Sequence, residues 1–119
     1  MATGTALALI VIRSADIEAL KDFYEKIGLD FQKEQHGKGP VHYSSVSGAI
    51  VLEIYPAYAE EAPTMNRLGF YLENLEATMH RLKTDGVEIL SPSAQTQRGV
   101  VAIVKDPEGR KIELYQKPA

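Results

Sequence analysis

Asp106-Pro107-Glu108-Gly109-Arg110-Lys111-Ile112-Glu113-Leu114-Tyr115 decides the fold: a tight Asp-Pro-Glu-Gly turn feeds a strand in which one carboxylate sits between apolar residues. A second stretch of the same design, Val51-Leu52-Glu53-Ile54-Tyr55, closes the first half of the chain. Period-two alternation sends Ile112 and Leu114 to one sheet face and Glu113 to the other, and treats Leu52, Ile54 and Glu53 likewise. With the apolar pairs in the core, both carboxylates face whatever the opposite side encloses. One carboxylate per half, in equivalent places, is a candidate metal or acid/base site.

The segments before these strands repeat one plan. In the first half, the apolar run Ala6 to Arg13 predicts a strand and Asp16 a helix N-cap. Ile17, Leu20, Tyr24 and Ile27 recur at helical spacing, and Gly28 ends the helix. Strands from Leu29 to about His36 and from Val41 to Val46 flank the Gly37-Lys38-Gly39-Pro40 turn, and Ser47-Gly48 turns into the strand carrying Glu53. In the second half, a strand from about Arg67 to Glu73 leads to Asn74 as N-cap. Leu75, Met79 and Leu82 form an inward helix face and Gly86 is the terminator. Strands near Val87 to Leu90, Gly99 to Lys105 and Lys111 to Tyr115 follow. Asp16 and Asn74 stand 58 residues apart, as do Gly28 and Gly86, which favours duplication. The expected organisation is a single domain over residues 1–119, with module one at about 5–56, a linker at about 57–65 and module two at about 66–117.

Composition narrows the function. A chain of 119 residues buries one core. A formal net charge of -3, with scattered Lys and Arg, gives no footprint for nucleic acid or an anionic membrane. The absence of cysteine removes disulfides, thiolate ligands and cysteine nucleophiles and fits a reducing compartment. The run Ala6 to Ile12 is too short to span a bilayer, and no basic segment precedes it as a signal peptide requires. The expectation is a cytoplasmic protein with a small-molecule ligand.

In their order and spacing these residues resemble the vicinal oxygen chelate superfamily, which includes glyoxalase I, extradiol dioxygenases, fosfomycin-resistance enzymes and bleomycin-binding proteins. The resemblance spans about residues 5 to 117. It is carried by Asp16 with Phe23-Tyr24 and Gly28-Leu29, by the helix from Leu75 to Gly86-Val87, and by Asp106-Pro107-Glu108-Gly109 with Ile112-Glu113-Leu114. It implies an α+β fold of two βαβββ modules whose mixed sheets curve into a cup, with helices outside and ligand inside. It also implies a homodimer, since relatives of this size often complete their cups across a two-fold axis.

Metal-binding members place ligands on the first and last strands of each module. The last-strand positions fall on Glu53 and Glu113, which match; the first-strand positions fall on Leu9 and Arg67, which do not. Leucine has no donor, and a guanidinium stays protonated and repels a divalent cation. The expectation is therefore no metal and no cofactor, and the losses argue against dioxygenase and fosfomycin-resistance activity.

Arg67, on the side of Gly69 and Tyr71, is a candidate to bridge Glu53 and Glu113 in place of a metal, or else reaches solvent. Glu53 and Glu113 are candidate catalytic groups, with a pKa raised by an apolar cup and a role as general base next to a carbonyl; the bland reading is a wet strand face. His42 is a candidate ligand-binding or proton-transfer group, whereas His36 and His80 read as surface residues. Tyr43, Tyr55, Tyr71 and Tyr115, with Leu9, complete the candidate ligand-binding set, their aromatic area suiting a flat or hydrophobic ligand or simply filling core. Two functions stay open: a metal-independent small-molecule binder resembling the drug-sequestering bleomycin-resistance branch, or a glyoxalase-like lyase or isomerase using Glu53 or Glu113 with a weak metal or none.

Overall fold

The structure, a computed structural model, describes residues 4–58 and 66–119. It divides into two compact units, each a four-stranded mixed sheet with one helix. In the first, β1 (Leu9–Ser14), α1 (Ile17–Lys26), β2 (Gln32–Glu34), β3 (His42–Ser47) and β4 (Ile50–Pro56) form a sheet of order β1-β4-β3-β2. In the second, β5 (Leu68–Leu72), α2 (Leu75–Thr84), β6 (Ile89–Thr96), β7 (Gly99–Lys105) and β8 (Lys111–Gln116) form β5-β8-β7-β6. In both, the first strand runs parallel to the last and the remaining pairs are antiparallel. The α+β fold of two βαβββ modules is as expected. Most of the expected linker at 57–65 lies outside the described residues.

Local chemistry repeats between the units at the predicted offset. The Asp16 carboxylate accepts the Ala19 amide at 3.1 Å and the Asn74 side-chain oxygen accepts the Ala77 amide at 3.0 Å, so each cap satisfies an orphan donor of the first turn. At the other end, the Leu29 amide donates to the Tyr24 carbonyl and the Val87 amide to the Leu82 carbonyl. In both cases the chain reverses through a left-handed glycine, Gly28 (φ 110°) or Gly86 (φ 79°), a conformation a β-carbon disfavours.

The alternation read in the two glutamate strands is present. Leu52, Ile54, Ile112 and Leu114 are at most 3% exposed, and the glutamates between them point the other way. In the first unit the apolar face also buries Ile12, and α1 buries Leu20, Phe23 and Tyr24; in the second it buries Leu72, Ala102 and Val104, and α2 buries Leu75, Met79 and Leu82.

Two strands differ from their sequence bounds. β2 keeps only Gln32–Glu34 of the stretch from Leu29 to His36, because only those residues pair with β3. β6 runs through Ser91-Pro92-Ser93 to Thr96, well past Leu90. It is an edge strand whose register slips between Ile89 and Ser91 and again between Ser91 and Ala94, so Pro92 sits in an irregularity where no ladder amide is required. Among the described residues, no helix is long and apolar enough to cross a membrane.

Candidate functional site

The outward face of the second sheet is built around Glu113. Its neighbour across the parallel pair is Gly69, and across the antiparallel pair Ile103. One carboxylate oxygen accepts the Arg67 guanidinium at 2.7 Å, and the other accepts the Tyr115 hydroxyl in a short hydrogen bond. These two donors, Tyr115 first, hold the Glu113 carboxyl below the usual carboxylate range, while the same bond and burial push the Tyr115 phenol up. The raised pKa expected of a carboxylate in an apolar cup is therefore not found at Glu113. With both oxygens engaged it is a fixed anion and a poor proton acceptor.

Aromatic area surrounds this anion. The Tyr71 and Tyr115 ring centres are 5.7 Å apart, and the Arg98 guanidinium carbon, from the β6–β7 turn, lies 5.0 Å from the centre of the Tyr115 ring. Gly69 makes room: a β-carbon there would meet Tyr115 Cε2 at 3.2 Å. Arg67, Gly69, Tyr71, Arg98, Glu113 and Tyr115 line an open pocket of about 320 Å³. Arg98 is absent from the candidates named from the sequence. A β6–β7 hairpin ending in Gln97-Arg98-Gly99 is the signal that would have placed it.

The outward face of the first sheet has different chemistry. The register aligns Glu34 with His42, and Glu53 pairs with Ser44 on the same strand, two residues along. His42 is 1% exposed. Its Nδ1 lies 3.1 Å from the Pro40 carbonyl, and its Nε2 lies 3.3 Å from Glu34, 3.8 Å from Glu53 and 3.3 Å from the Tyr55 hydroxyl. The Tyr55 ring stacks on the imidazole at 4.1 Å and 8°. Burial, with the negative charge of Glu53, pushes the Tyr55 phenol up.

The candidate residues fall in both units. Arg67, Tyr71, Glu113 and Tyr115 meet in the second unit, and His42, Glu53 and Tyr55 in the first. Arg67 binds Glu113, while Glu53 has His42 as its neighbour. Leu9 lies on β1, half exposed and on the Glu53 face. Tyr43 points to the other face, where its hydroxyl donates to Glu18 of α1 at 2.5 Å, and so takes no part in this cluster. His36, read from the sequence as a surface residue, is exposed yet reaches within 3.7 Å of Glu34.

The family's usual metal ligands do not fit here. Leu9 offers no donor atom, and the Arg67 guanidinium already holds the Glu113 oxygen a cation would take.

A family model described as Glyoxalase/Bleomycin resistance protein/Dioxygenase superfamily matches residues 6–114. No curated protein matches the chain. Among solved structures, TnmS3, an antibiotic binding protein from Streptomyces sp. CB03234, is 24% identical with a TM-score of 0.78, covering 99% of this chain and 100% of its own. A glyoxalase/bleomycin resistance protein from the same Streptomyces is 27% identical with a TM-score of 0.73, covering 93% and 100%. The oxidase ChaP-H2 is 17% identical with a TM-score of 0.77, covering 96% and 94%.

Proposed function

The chain belongs to the glyoxalase/bleomycin resistance protein/dioxygenase superfamily, and we propose that within it this protein is a binder of a small, partly aromatic molecule, of drug or metabolite kind, that needs no metal at Glu113. The observation that carries this reading is a Glu113 whose two oxygens are both satisfied by protein donors, set in an open aromatic pocket. A carboxylate so engaged suits recognition better than proton transfer. The pocket supplies ring faces on Tyr71 and Tyr115 and cationic groups on Arg67 and Arg98, which suit a flat ring bearing a carbonyl or acidic oxygen. The antibiotic-binding neighbour on the same fold supports the ligand class.

The chain is proposed to be a single functional domain, acting as a cytoplasmic homodimer. The absence of cysteine supports a reducing compartment. An exposed apolar row on the first sheet supports the dimer: Leu9 pairs with Val51, and Val51 with Val46, with Leu9 50% and Val46 73% exposed.

The reading is tested by titrating the protein with aromatic carbonyl and phenolic acid compounds, scored by thermal shift and calorimetry. The expected result is a saturable binder whose affinity falls at least tenfold in Arg67→Ala and in Tyr115→Ala. Turnover of the bound compound that Glu113→Gln abolishes would overturn it. The alternative, a lyase or isomerase acting next to a carbonyl, rests on Glu53, whose carboxylate has the His42 imidazole 3.8 Å away as a proton partner. Turnover lost in Glu53→Gln would select it.

A further inference from the structure

The four side chains Glu34, His36, His42 and Glu53 form a cluster that the ligand pocket does not use. From its geometry we propose that this face of the first sheet binds one divalent transition-metal ion, with zinc the best fit, through His42, Glu34 and His36, and with Glu53 as a fourth ligand. The site is distinct from the Leu9, Glu53, Arg67 and Glu113 set, sharing only Glu53 with it. It goes beyond the ligand-binding reading, and no residue of the Glu113 pocket belongs to it.

Three observations carry the inference. The first is spacing. The donor atoms of Glu34, His36 and His42 all lie within 4.8 Å of one another, with the Glu34 oxygen 3.3 Å from His42 Nε2 and 3.7 Å from His36 Nε2. Glu53 adds an oxygen 3.8 Å from His42 Nε2. A tetrahedral zinc with bonds of about 2.0–2.1 Å separates its ligand atoms by about 3.3 Å, so Glu34, His36 and His42 can close on an ion by side-chain rotation, and Glu53, outside that mutual set, joins from beside His42.

The second is the tautomer. With Nδ1 donating to the Pro40 carbonyl at 3.1 Å, His42 presents its Nε2 lone pair outward. A carbonyl fixing the far nitrogen in this way is the usual outer-shell partner of a ligating histidine.

The third is charge. The Nε2 lone pair of a buried imidazole faces two carboxylates, and the Tyr55 hydroxyl can donate to only one of these acceptors. Acceptors gathered on one buried nitrogen favour a cation there, a place that a metal ion can take from a proton. Two imidazoles and two carboxylates suit zinc, nickel or cobalt better than calcium or magnesium, which prefer all-oxygen sets. The exposed His36 leaves an entry path from solvent.

The test is zinc titration of the chelator-stripped full chain in competition with a chromophoric chelator. The expected result is one equivalent bound with a micromolar or tighter dissociation constant. Glu34→Gln and His36→Ala should each weaken binding at least tenfold, and His80→Ala, on α2 of the second unit, should leave it unchanged. Because Glu34 and His36 are at least partly exposed, these variants remain informative even if the buried His42→Gln fails to fold. Nitrogen-15 spectra of the imidazoles should show metal-induced shifts at His42 and His36 and none at His80. No binding, binding unaltered by Glu34→Gln and His36→Ala, or a His42 doubly protonated at neutral pH in the presence of zinc would each overturn the proposal. Loss of zinc binding with aromatic-ligand affinity intact would fail this inference alone.

Discussion

Glu113 shows how two neighbours can fix the charge state of one side chain. Its pKa is depressed in the folded chain, so its contribution to stability is fully present above the ordinary carboxylate range and is lost as pH falls through the folded value. Tyr115→Phe removes the largest cause. The Glu113 carboxyl should then titrate closer to its ordinary value in carbon-13 NMR, and the variant should be less stable than the parent by about 1 kcal/mol at pH 7 in urea unfolding, with the difference shrinking towards pH 3. Gly69→Ala places a β-carbon 3.2 Å from the Tyr115 ring, so the ring must move; the expected outcome is weaker aromatic-ligand binding in calorimetry with the secondary structure unchanged by circular dichroism. Alternation alone gave the direction of Glu113 and Glu53. Of the bridge from Arg67 to Glu53 and Glu113 read from the sequence, the Glu113 arm is present, because a cation just before β5 lies beside the last strand. Tyr43 was named among the ligand-binding residues because a tyrosine suits either face of a sheet; its pairing with Ile54 and its bond to Glu18 put it on the helix side.

Among the elements, the turn before β8 depends on Asp106. Its buried carboxylate accepts the amides of Glu108 and Arg110 and the Arg110 guanidinium at 2.6 Å, while Arg110 Nε donates to Asn66. Asp106→Ala strands a buried guanidinium, and a loss of about 3–5 kcal/mol in urea unfolding is expected. Asn74→Ala removes only a helix cap, and about 1 kcal/mol is expected in the same measurement. The start of both helices was legible from the cap residues and their ends to within two residues of the glycine terminators, since those signals act within one turn. The cluster at Glu34, His36 and His42 was not. It depends on which residues of β2 oppose which of β3, and the Gly37 to Pro40 turn permits several registers of which pairing selects one. β6 runs past the expected Leu90 for a related reason: a proline such as Pro92 is tolerated in a strand only where that strand lies at an edge.

For the whole molecule, the exposed row through Leu9 and Val46 makes self-association the expected state. Light scattering should give twice the 13.1 kDa chain mass, and Val46→Arg should halve it without loss of folded signal. A further consequence follows from the parallel pairing of first with last strand in each unit. Leu9 waits for Val51 and Leu68 for Ile112, so each sheet closes only after some forty intervening residues exist. Such long-range pairing slows folding relative to local hairpins. During translation, β1 emerges from the ribosome while its partner strand is still within it, and in that interval its apolar residues are open to the same strand on neighbouring nascent chains. All the first unit's strands precede those of the second in the chain, so its sheet can close before β8 is available to the second. The duplicated order thus limits that hazard to two separate intervals, where a sheet interleaved across the whole sequence would hold it open for the full length of synthesis.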